Sequence, residues 1–253
     1  MSGQVHLAIE QTLARVTLSH PGKFNAMSRA MWRELKAVFL DLQGGAGVRC
    51  VIVVGEGGHF CAGGDIAEYP DFRFDEAALR DFHEGDVWGG LGAMLACDVP
   101  LLAQIEGNCM GAGVEIASCC DIRVAASGAR FGAPIAKLGF PMAPREAALV
   151  AREAGAATAR EMLLEAAVFD AAEMKARGFL NTVLPDGTLT TAVLARAQRI
   201  CALSPQAARL NKQALRATRG ATTATDDTAY RYADSPEHHE GIAAFLAKRP
   251  AVF

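Results

Sequence analysis

The central stretch of the sequence reads Ile105-Glu106-Gly107-Asn108-Cys109-Met110-Gly111-Ala112-Gly113-Val114-Glu115-Ile116. It continues the apolar run from Leu101 to Ile105, which has the length of a buried strand, into a turn punctuated by glycines. A helix is predicted to begin near Ala112, so that Glu115 lies in its first turn. Unpaired N–H groups and aligned peptide dipoles at a helix start attract negative charge. A carboxylate at this place can move a proton on a bound molecule.

A second glycine loop, Gly58-His59-Phe60-Cys61-Ala62-Gly63-Gly64-Asp65-Ile66, has the same pattern. It follows another buried strand, Cys50 to Val54, and a helix is again predicted after it. Gly63 and Gly64 let the backbone approach a ligand closely. Two such loops can direct two N–H donors at one oxygen atom, as an oxyanion hole requires. Neither loop matches the dinucleotide fingerprint or the phosphate-binding loop.

The rest of the chain alternates strands with helices and then changes to helices alone. Periodicity predicts a strand hairpin over residues 5–18, an amphipathic helix from Ser28 to Gln43 and a helical segment from Asp75 to Ala96. Alanine-rich helices follow from about residue 143, where Asp170 and Glu173 form a capping-box pattern. These patterns predict an α/β core over residues 1–190 and a helical C-terminal segment over residues 191–253.

The composition is that of an ordinary globular protein. The chain has 253 residues, of which 51% are hydrophobic and 21% charged, and its formal net charge is −3. No basic cluster, signal peptide or apolar run of about 18 residues is recognised, so no nucleic-acid or membrane partner is expected. The seven cysteines lack paired spacing and no metal-ligand pattern is present. Reduced core thiols and a cytoplasmic location are therefore expected.

Several segments together resemble the crotonase (enoyl-CoA hydratase/isomerase) superfamily. The two glycine loops carry most of the resemblance, in Phe60–Ile66 and Gly107–Glu115, and Cys120–Arg123 follows them. Further segments are similar to the family along nearly the whole chain, in order and with family-like spacing: Pro21–Met27, Phe131–Pro134, Leu138–Gly139 and Glu240–Pro250.

The resemblance implies a crotonase-type repeated β-β-α spiral core with a helical C-terminal trimerisation region, and a homotrimer or hexamer. It implies an acyl-CoA thioester as substrate and an enolate held by the N–H groups of Gly64 and Ala112. Coenzyme A is part of the substrate, so no separate cofactor is expected. The residues expected to bind the substrate are Lys23, Phe24, Ala26, Ala62, Asp65, Ile66, Phe245 and Lys248, the last two often from a neighbouring subunit in this family. Asp65 on its own is also typical of a helix cap.

The sequence departs from the family at one catalytic position. Hydratases of the family place two glutamates around one water molecule, and the first matches Glu115. The second falls at Ile135, which cannot transfer a proton. Glu84, Asp86 or a water molecule could take the second role.

Three functions remain open. The first is an enoyl-CoA hydratase-like lyase that hydrates 2-enoyl-CoA reversibly, in the catabolism of fatty acids or related acyl groups, with Glu115 as acid/base. The second is other enolate chemistry of the superfamily, namely decarboxylation, retro-aldol cleavage, thioester hydrolysis or isomerisation. The third is a non-catalytic acyl-CoA-binding subunit, which the missing glutamate favours.

Overall fold

The computed structural model describes residues 2–45, 47–217 and 231–253. The strands are β1 (Gln4–Glu10), β2 (Leu13–Ser19), β3 (Cys50–Gly55), β4 (Leu101–Ile105), β5 (Asn108–Met110), β6 (Ile122–Ala126), β7 (Arg130–Gly132), β8 (Val168–Asp170) and β9 (Thr182–Leu184). The α-helices are α1 (Arg29–Gly44), α2 (Glu76–Asp81), α3 (Trp88–Ala96), α4 (Ala112–Ser118), α5 (Pro144–Ala154), α6 (Ala156–Leu164), α7 (Ala171–Ala176), α8 (Leu189–Cys201), α9 (Pro205–Ala217) and α10 (Pro236–Leu246).

Six strands form the main sheet in the order β1-β2-β3-β4-β6-β9. β1 and β2 pair antiparallel as the predicted hairpin, and every following pair is parallel. Parallel neighbours bring the carboxyl ends of β3 and β4 to the same edge of the sheet. The two glycine loops leave the sheet at that edge, so the topology brings them together.

Strand β3 is buried on both faces, as its unbroken apolar run predicts. Val51 and Val53 belong to the larger core, which includes residues of α1 and α3. Cys50 and Ile52 point to a second cluster on the other face. There α8 covers the sheet with Leu189, Val193 and Ala197, spaced one helical turn apart.

Helix caps follow the sequence closely. The Ser28 side chain accepts a hydrogen bond from the N–H of Met31 and starts α1. Asp170 and Glu173 form the predicted reciprocal capping box at the start of α7. Each cap satisfies N–H groups that the helix leaves unpaired, and such caps contribute about 1 kcal/mol each.

Two predicted helices have a different form. Only a short 3₁₀ helix, Ile66–Asp71, follows the second glycine loop, and it contains Pro70, which has no N–H to donate. The predicted helix over 75–96 is divided by a π-helical turn, Phe82–Val87, between α2 and α3. Such turns are rare in proteins, and those that occur are often found at functional sites.

A small second sheet, β5-β7-β8, lies beside the main one. Together the two sheets and their helices confirm the predicted α/β class. Within the described ranges, no helix is both long enough and apolar enough to cross a membrane. The division of the chain at residue 190 stays a prediction.

Candidate active site

The two glycine loops are joined by backbone hydrogen bonds. The N–H of Cys61 donates to the carbonyl oxygen of Asn108, and the N–H of Met110 donates to that of Cys61, both at 2.8 Å. A Cβ atom added at Gly113 would lie 2.6 Å from the Cys61 carbonyl oxygen, so the loop and the start of α4 can pack this closely only with glycine there. The loops are therefore held directly against each other.

Gly64 and Ala112 each carry an N–H that donates no hydrogen bond to any described residue. Ala112 is the first residue of α4, whose initial N–H groups have no acceptor within the helix. The preceding glycines, Gly63 and Gly111, have φ values of 112° and 46°, which L side chains rarely adopt. Both residues with free N–H groups line the same cavity.

Glu115 lies one turn into α4 and is 6% exposed. Burial in apolar surroundings raises the pKa of its carboxyl group well above the usual value, and the negative charge of Glu146 raises it further. No hydrogen bond from another described side chain offsets this burial. The proton therefore stays on Glu115 to a higher pH than on an exposed glutamate.

Ile135 faces the same cavity from a short 3₁₀ helix, Pro134–Leu138. The position where the family carries its second glutamate is thus in the site, but the side chain is a hydrocarbon. The two carboxylates suggested from the sequence as replacements point elsewhere. Glu84 pairs with Arg145 at 3.1 Å, and Asp86 accepts from both Arg29 and Arg33 at 2.6–2.7 Å.

A different carboxylate, that of Glu146, lies in the cavity with Glu115. Glu146 is in the first turn of α5 and is 4% exposed. Its Oε1 lies 2.8 Å from Nδ1 of His83, which is in the π-helical turn. An ionised carboxylate only accepts hydrogen bonds, so Nδ1 carries the proton when Glu146 is charged.

Sequence reasoning missed Glu146. The residues before it, Pro141-Met142-Ala143-Pro144, depart from the family pattern, and Pro144 is well suited to the first turn of a helix. That departure could have pointed to Glu146. It marks the place where α5 begins, and a glutamate in the first turn of that helix can enter the site.

The cavity has a volume of about 240 Å³. Tyr69, Phe82, Leu138, Phe140 and Met142 give it a largely apolar wall. Burial raises the pKa of the Tyr69 hydroxyl to about 12, so this group stays a neutral donor at physiological pH. A neighbouring cavity of about 840 Å³ shares Tyr69, Arg73, His83 and Phe140 with it.

The predicted substrate-binding residues fall into three groups. Ala62 and Ile66 line the cavity together with Gly64, Ala112 and Glu115.

Lys23, Phe24 and Ala26 belong to the N-terminal loop, whose Phe24 carbonyl oxygen accepts from the N–H of Ala62 at 3.0 Å. Lys23 Nζ lies 2.6 Å from Asp65, whose other carboxylate oxygen accepts from the N–H of Ala67 as a helix cap. Phe24 is 56% exposed beside the cavity loop, where a ligand can reach it.

Phe245 and Lys248 lie at the end of α10 and do not line the cavity of their own chain. Phe245 is 82% exposed. Their predicted contact with coenzyme A stays a prediction.

The cysteines are all free thiols, and all but Cys201 are buried. Burial raises the pKa of Cys61, beside the glycine loop, to about 12, so it is a poor nucleophile. Within the described part of the chain no group of His, Cys, Asp and Glu residues could hold a metal ion.

Known proteins resemble this chain over nearly its whole length. A family model described as Enoyl-CoA hydratase/isomerase matches residues 8–253. A crotonyl-CoA hydratase of Syntrophomonas wolfei is 32% identical over 257 residues, covering 96% of this chain and 95% of the relative. The 2,3-dehydroadipyl-CoA hydratase of Escherichia coli is 29% identical, covering 96% of each chain. The crystal structure of an enoyl-CoA hydratase/carnithine racemase from Magnetospirillum magneticum has a TM-score of 0.94 and 36% identity, covering 98% of this chain and 94% of that one.

Proposed function

Because the chain belongs to the enoyl-CoA hydratase/isomerase family, we propose that it is an acyl-CoA enzyme that adds water reversibly to a 2-enoyl thioester. One observation carries this proposal: two buried carboxyl groups, Glu115 and Glu146, line the same cavity as two unpaired backbone N–H groups. Hydration needs one group to take a proton from water and another to deliver a proton to carbon. A pair of carboxyl groups supports both roles although Ile135 supports neither.

The thioester oxygen is proposed to accept hydrogen bonds from the N–H groups of Gly64 and Ala112. Negative charge develops on this oxygen when water adds at C3. Each preorganised donor in such a site is worth about 3–4 kcal/mol of transition-state stabilisation in other enzymes. Only the backbone N–H is used, so alanine at position 112 serves as well as glycine.

Glu146 is the proposed general base and Glu115 the proposed general acid. Glu146 takes a proton from water as the hydroxyl oxygen bonds to C3, and the π electrons move onto the thioester oxygen. Glu115, whose pKa is raised by burial, then gives its proton to C2. The cycle closes when the proton on Glu146 passes to Glu115 directly or through water, so water is the only molecule consumed.

Two proposals on assembly and location accompany this function. We propose a homotrimer or hexamer, in which Phe245 and Lys248 reach coenzyme A bound to a neighbouring subunit. The exposure of Phe245 supports this. We also propose a cytoplasmic enzyme of acyl-group catabolism that needs no cofactor beyond the coenzyme A of its substrate.

The test is a comparison of Glu115→Gln, Glu146→Gln and Glu84→Gln with the parent protein. Hydration of crotonyl-CoA is followed by loss of the absorbance of the conjugated thioester, and the product is identified by mass spectrometry. Each of the first two substitutions is expected to lower kcat by about 10²–10⁴-fold, the usual contribution of one acid/base group. Both should leave the affinity for a saturated acyl-CoA nearly unchanged.

Glu84→Gln is the matched control, because it removes the same charge from the helical segment that holds His83. It should retain the activity of the parent protein. Full activity of Glu146→Gln together with loss of activity in Glu84→Gln would assign the role of general base to Glu84 and not to Glu146. A parent protein that binds acyl-CoA but changes none of a panel of CoA esters would instead be a non-catalytic binder, and the proposal would be wrong.

A further inference from the structure

Arg73 is a cation in the wall of the cavity that the proposed hydration does not use. Its guanidinium carbon lies 3.7 Å from the ring centre of Phe140 and 4.5 Å from that of Tyr69. These aromatic faces hold the planar group in place and attract its charge. Arg73 lines both the cavity of the carboxyl pair and the larger neighbouring cavity.

Within the described part of the chain, the Arg73 guanidinium lacks an acceptor for one of its N–H groups and lacks a carboxylate as ion-pair partner. Its Nη1 atom is buried and has no hydrogen-bond acceptor among the described residues, and no described carboxylate forms an ion pair with Arg73. Burial accordingly lowers the pKa of Arg73. A buried donor without an acceptor is unfavourable, and more so when the group is charged, so a ligand that brings an acceptor to Nη1 would stabilise this arrangement.

Other arginines near the site differ from Arg73 because each is paired with a carboxylate. Arg29 and Arg33, on the first turns of α1, share the carboxylate of Asp86, and Arg145 binds Glu84. Of these four arginines, only Arg73 lines the cavity of the carboxyl pair, and it forms no ion pair with a described carboxylate.

The position of Arg73 relates it to the acyl group. An acyl chain whose thioester oxygen meets Gly64 and Ala112 must place C2 and C3 near the carboxyl pair. Its far end then continues along the aromatic wall that Tyr69 and Phe140 share with the neighbouring cavity. We infer that the substrate is a 2-enoyl-CoA whose acyl chain ends in a carboxylate, which Arg73 binds. This inference rests on the proposed function, because it names the acyl group of that same site.

An anionic end fits better than a hydrocarbon end. A methyl terminus would leave the buried Nη1 atom of Arg73 without an acceptor, whereas a carboxylate forms a charge-assisted, bidentate pair with a guanidinium.

The experiment measures kcat/KM for two enoyl-CoA esters of equal chain length, one ending in a carboxylate and one in a methyl group. The parent protein should prefer the carboxylate ester by about 10- to 100-fold, the range expected for one hydrogen-bonded charge pair. Arg73→Met should abolish that preference, because it should lower kcat/KM for the carboxylate ester at least tenfold more than for the methyl ester. Arg73→Lys keeps the charge without the planar fork and should retain part of the preference.

Arg160→Met is the control, since Arg160 is exposed on α6 and its replacement removes the same charge. It should leave the preference intact. Competition by the two saturated CoA esters against the parent protein gives a second readout that does not depend on the folding of a variant, and the carboxylate ester should bind at least tenfold more tightly.

Failure of this inference and failure of the proposed function give different results. Equal turnover and equal binding of the two esters, or a preference that survives in Arg73→Met, would overturn the role of Arg73 and leave hydration standing. Absence of turnover with both esters would overturn the proposed hydration, and tighter binding of the carboxylate ester would then still support Arg73 as its site.

Discussion

Gly64 has no room for a side chain, because a Cβ atom there would overlap the hydroxyl oxygen of Tyr69. Gly64→Ala should therefore displace the loop and its N–H group. A misplacement of about 1 Å in a catalytic group can cost 10²-fold, so we expect kcat to fall by about 10- to 100-fold. The measurement is steady-state hydration, with circular dichroism to establish that the fold is kept.

A second substitution tests the cause of that loss. Tyr69→Phe removes the overlapping oxygen and leaves an approach of 3.1 Å to the ring carbon, which a shift of the ring by a few tenths of an ångström relieves. The double variant should regain part of the activity. Gly44→Ala is the control, since a Cβ there meets nothing within 4 Å. An inactive double variant would indicate that crowding by Tyr69 is not the cause.

Glu115 also makes stability depend on pH. In the unfolded chain its carboxyl group ionises near the ordinary value of 4.5, whereas the folded protein keeps the proton to a higher pH. The unfolded state therefore loses its proton first. Through this group alone the folded state loses up to about 1.4 kcal/mol per pH unit between the two pKa values.

Glu115→Gln cannot ionise and should remove that loss. Its free energy of unfolding should match that of the parent protein below pH 4 or so and exceed it at neutral pH. Urea unfolding over a pH series measures the difference. Parallel pH profiles for the two proteins would contradict the raised pKa.

At the scale of elements, the π-helical turn Phe82–Val87 positions one residue of the site. It directs His83 toward the first turn of α5, where Nδ1 meets Glu146. His83 is thus a positioning residue, acting through the carboxylate. His83→Ala should lower kcat by about 10- to 100-fold, with a smaller change in KM, because Glu146 loses its hydrogen bond.

The division of the effect between kcat and binding separates positioning from a merely structural role. In His83→Ala kcat should fall while the affinity for a saturated acyl-CoA stays nearly constant, because only the orientation of the Glu146 carboxylate has changed. His6→Ala, an exposed replacement on β1, should change neither quantity. Equal losses in kcat and in affinity would restrict His83 to packing.

The sequence predicted the elements that local pattern determines. The runs Cys50–Val54 and Leu101–Ile105 are apolar throughout because both faces of the sheet are covered, and both were recognised as buried strands. The capping box at Asp170 was likewise readable, since it depends on residues three apart.

The partner of Glu115 could not be predicted in this way. His83 and Glu146 are 63 positions apart and meet only because α5 packs beside the π-helical turn. No local pattern in Phe82–Val87 distinguishes a π turn from an α-helix. Glu84 and Asp86 were suggested because their segment borders the acyl pocket in the family. They lie in the same π-helical turn as His83 but bind arginines instead.

At the scale of the whole molecule, Arg123 joins parts that are far apart in the chain. It is 8% exposed, and its guanidinium donates to the carbonyl oxygens of Phe179 and Cys120 and pairs with Glu153 on α5. It therefore connects β6, the end of α4 and α5.

Arg123→Met should be strongly destabilising, because it leaves buried carbonyl oxygens without their donor and removes one of the cations beside the Glu153 carboxylate. We expect a loss of about 3–5 kcal/mol in the free energy of unfolding, measured by urea denaturation. Arg177→Met, which breaks an ion pair with Glu161 on the surface, should have little effect. Equal effects of the two substitutions would contradict the connecting role of Arg123.

The rates at which the buried thiols are alkylated report how parts of the core open. Cys50, Cys61 and Cys120 lie in different parts of the core, and burial raises the pKa of each to about 12, so they resist alkylation while the fold is closed. Cys201 is only partly buried, so its fast alkylation is the reference for the rates of the buried thiols. Mass spectrometry after timed alkylation would therefore show whether strand β3, the glycine loop and the end of α4 open together or one after another. The same measurement with acyl-CoA bound would show whether the ligand slows the alkylation of Cys61 in the glycine loop alone.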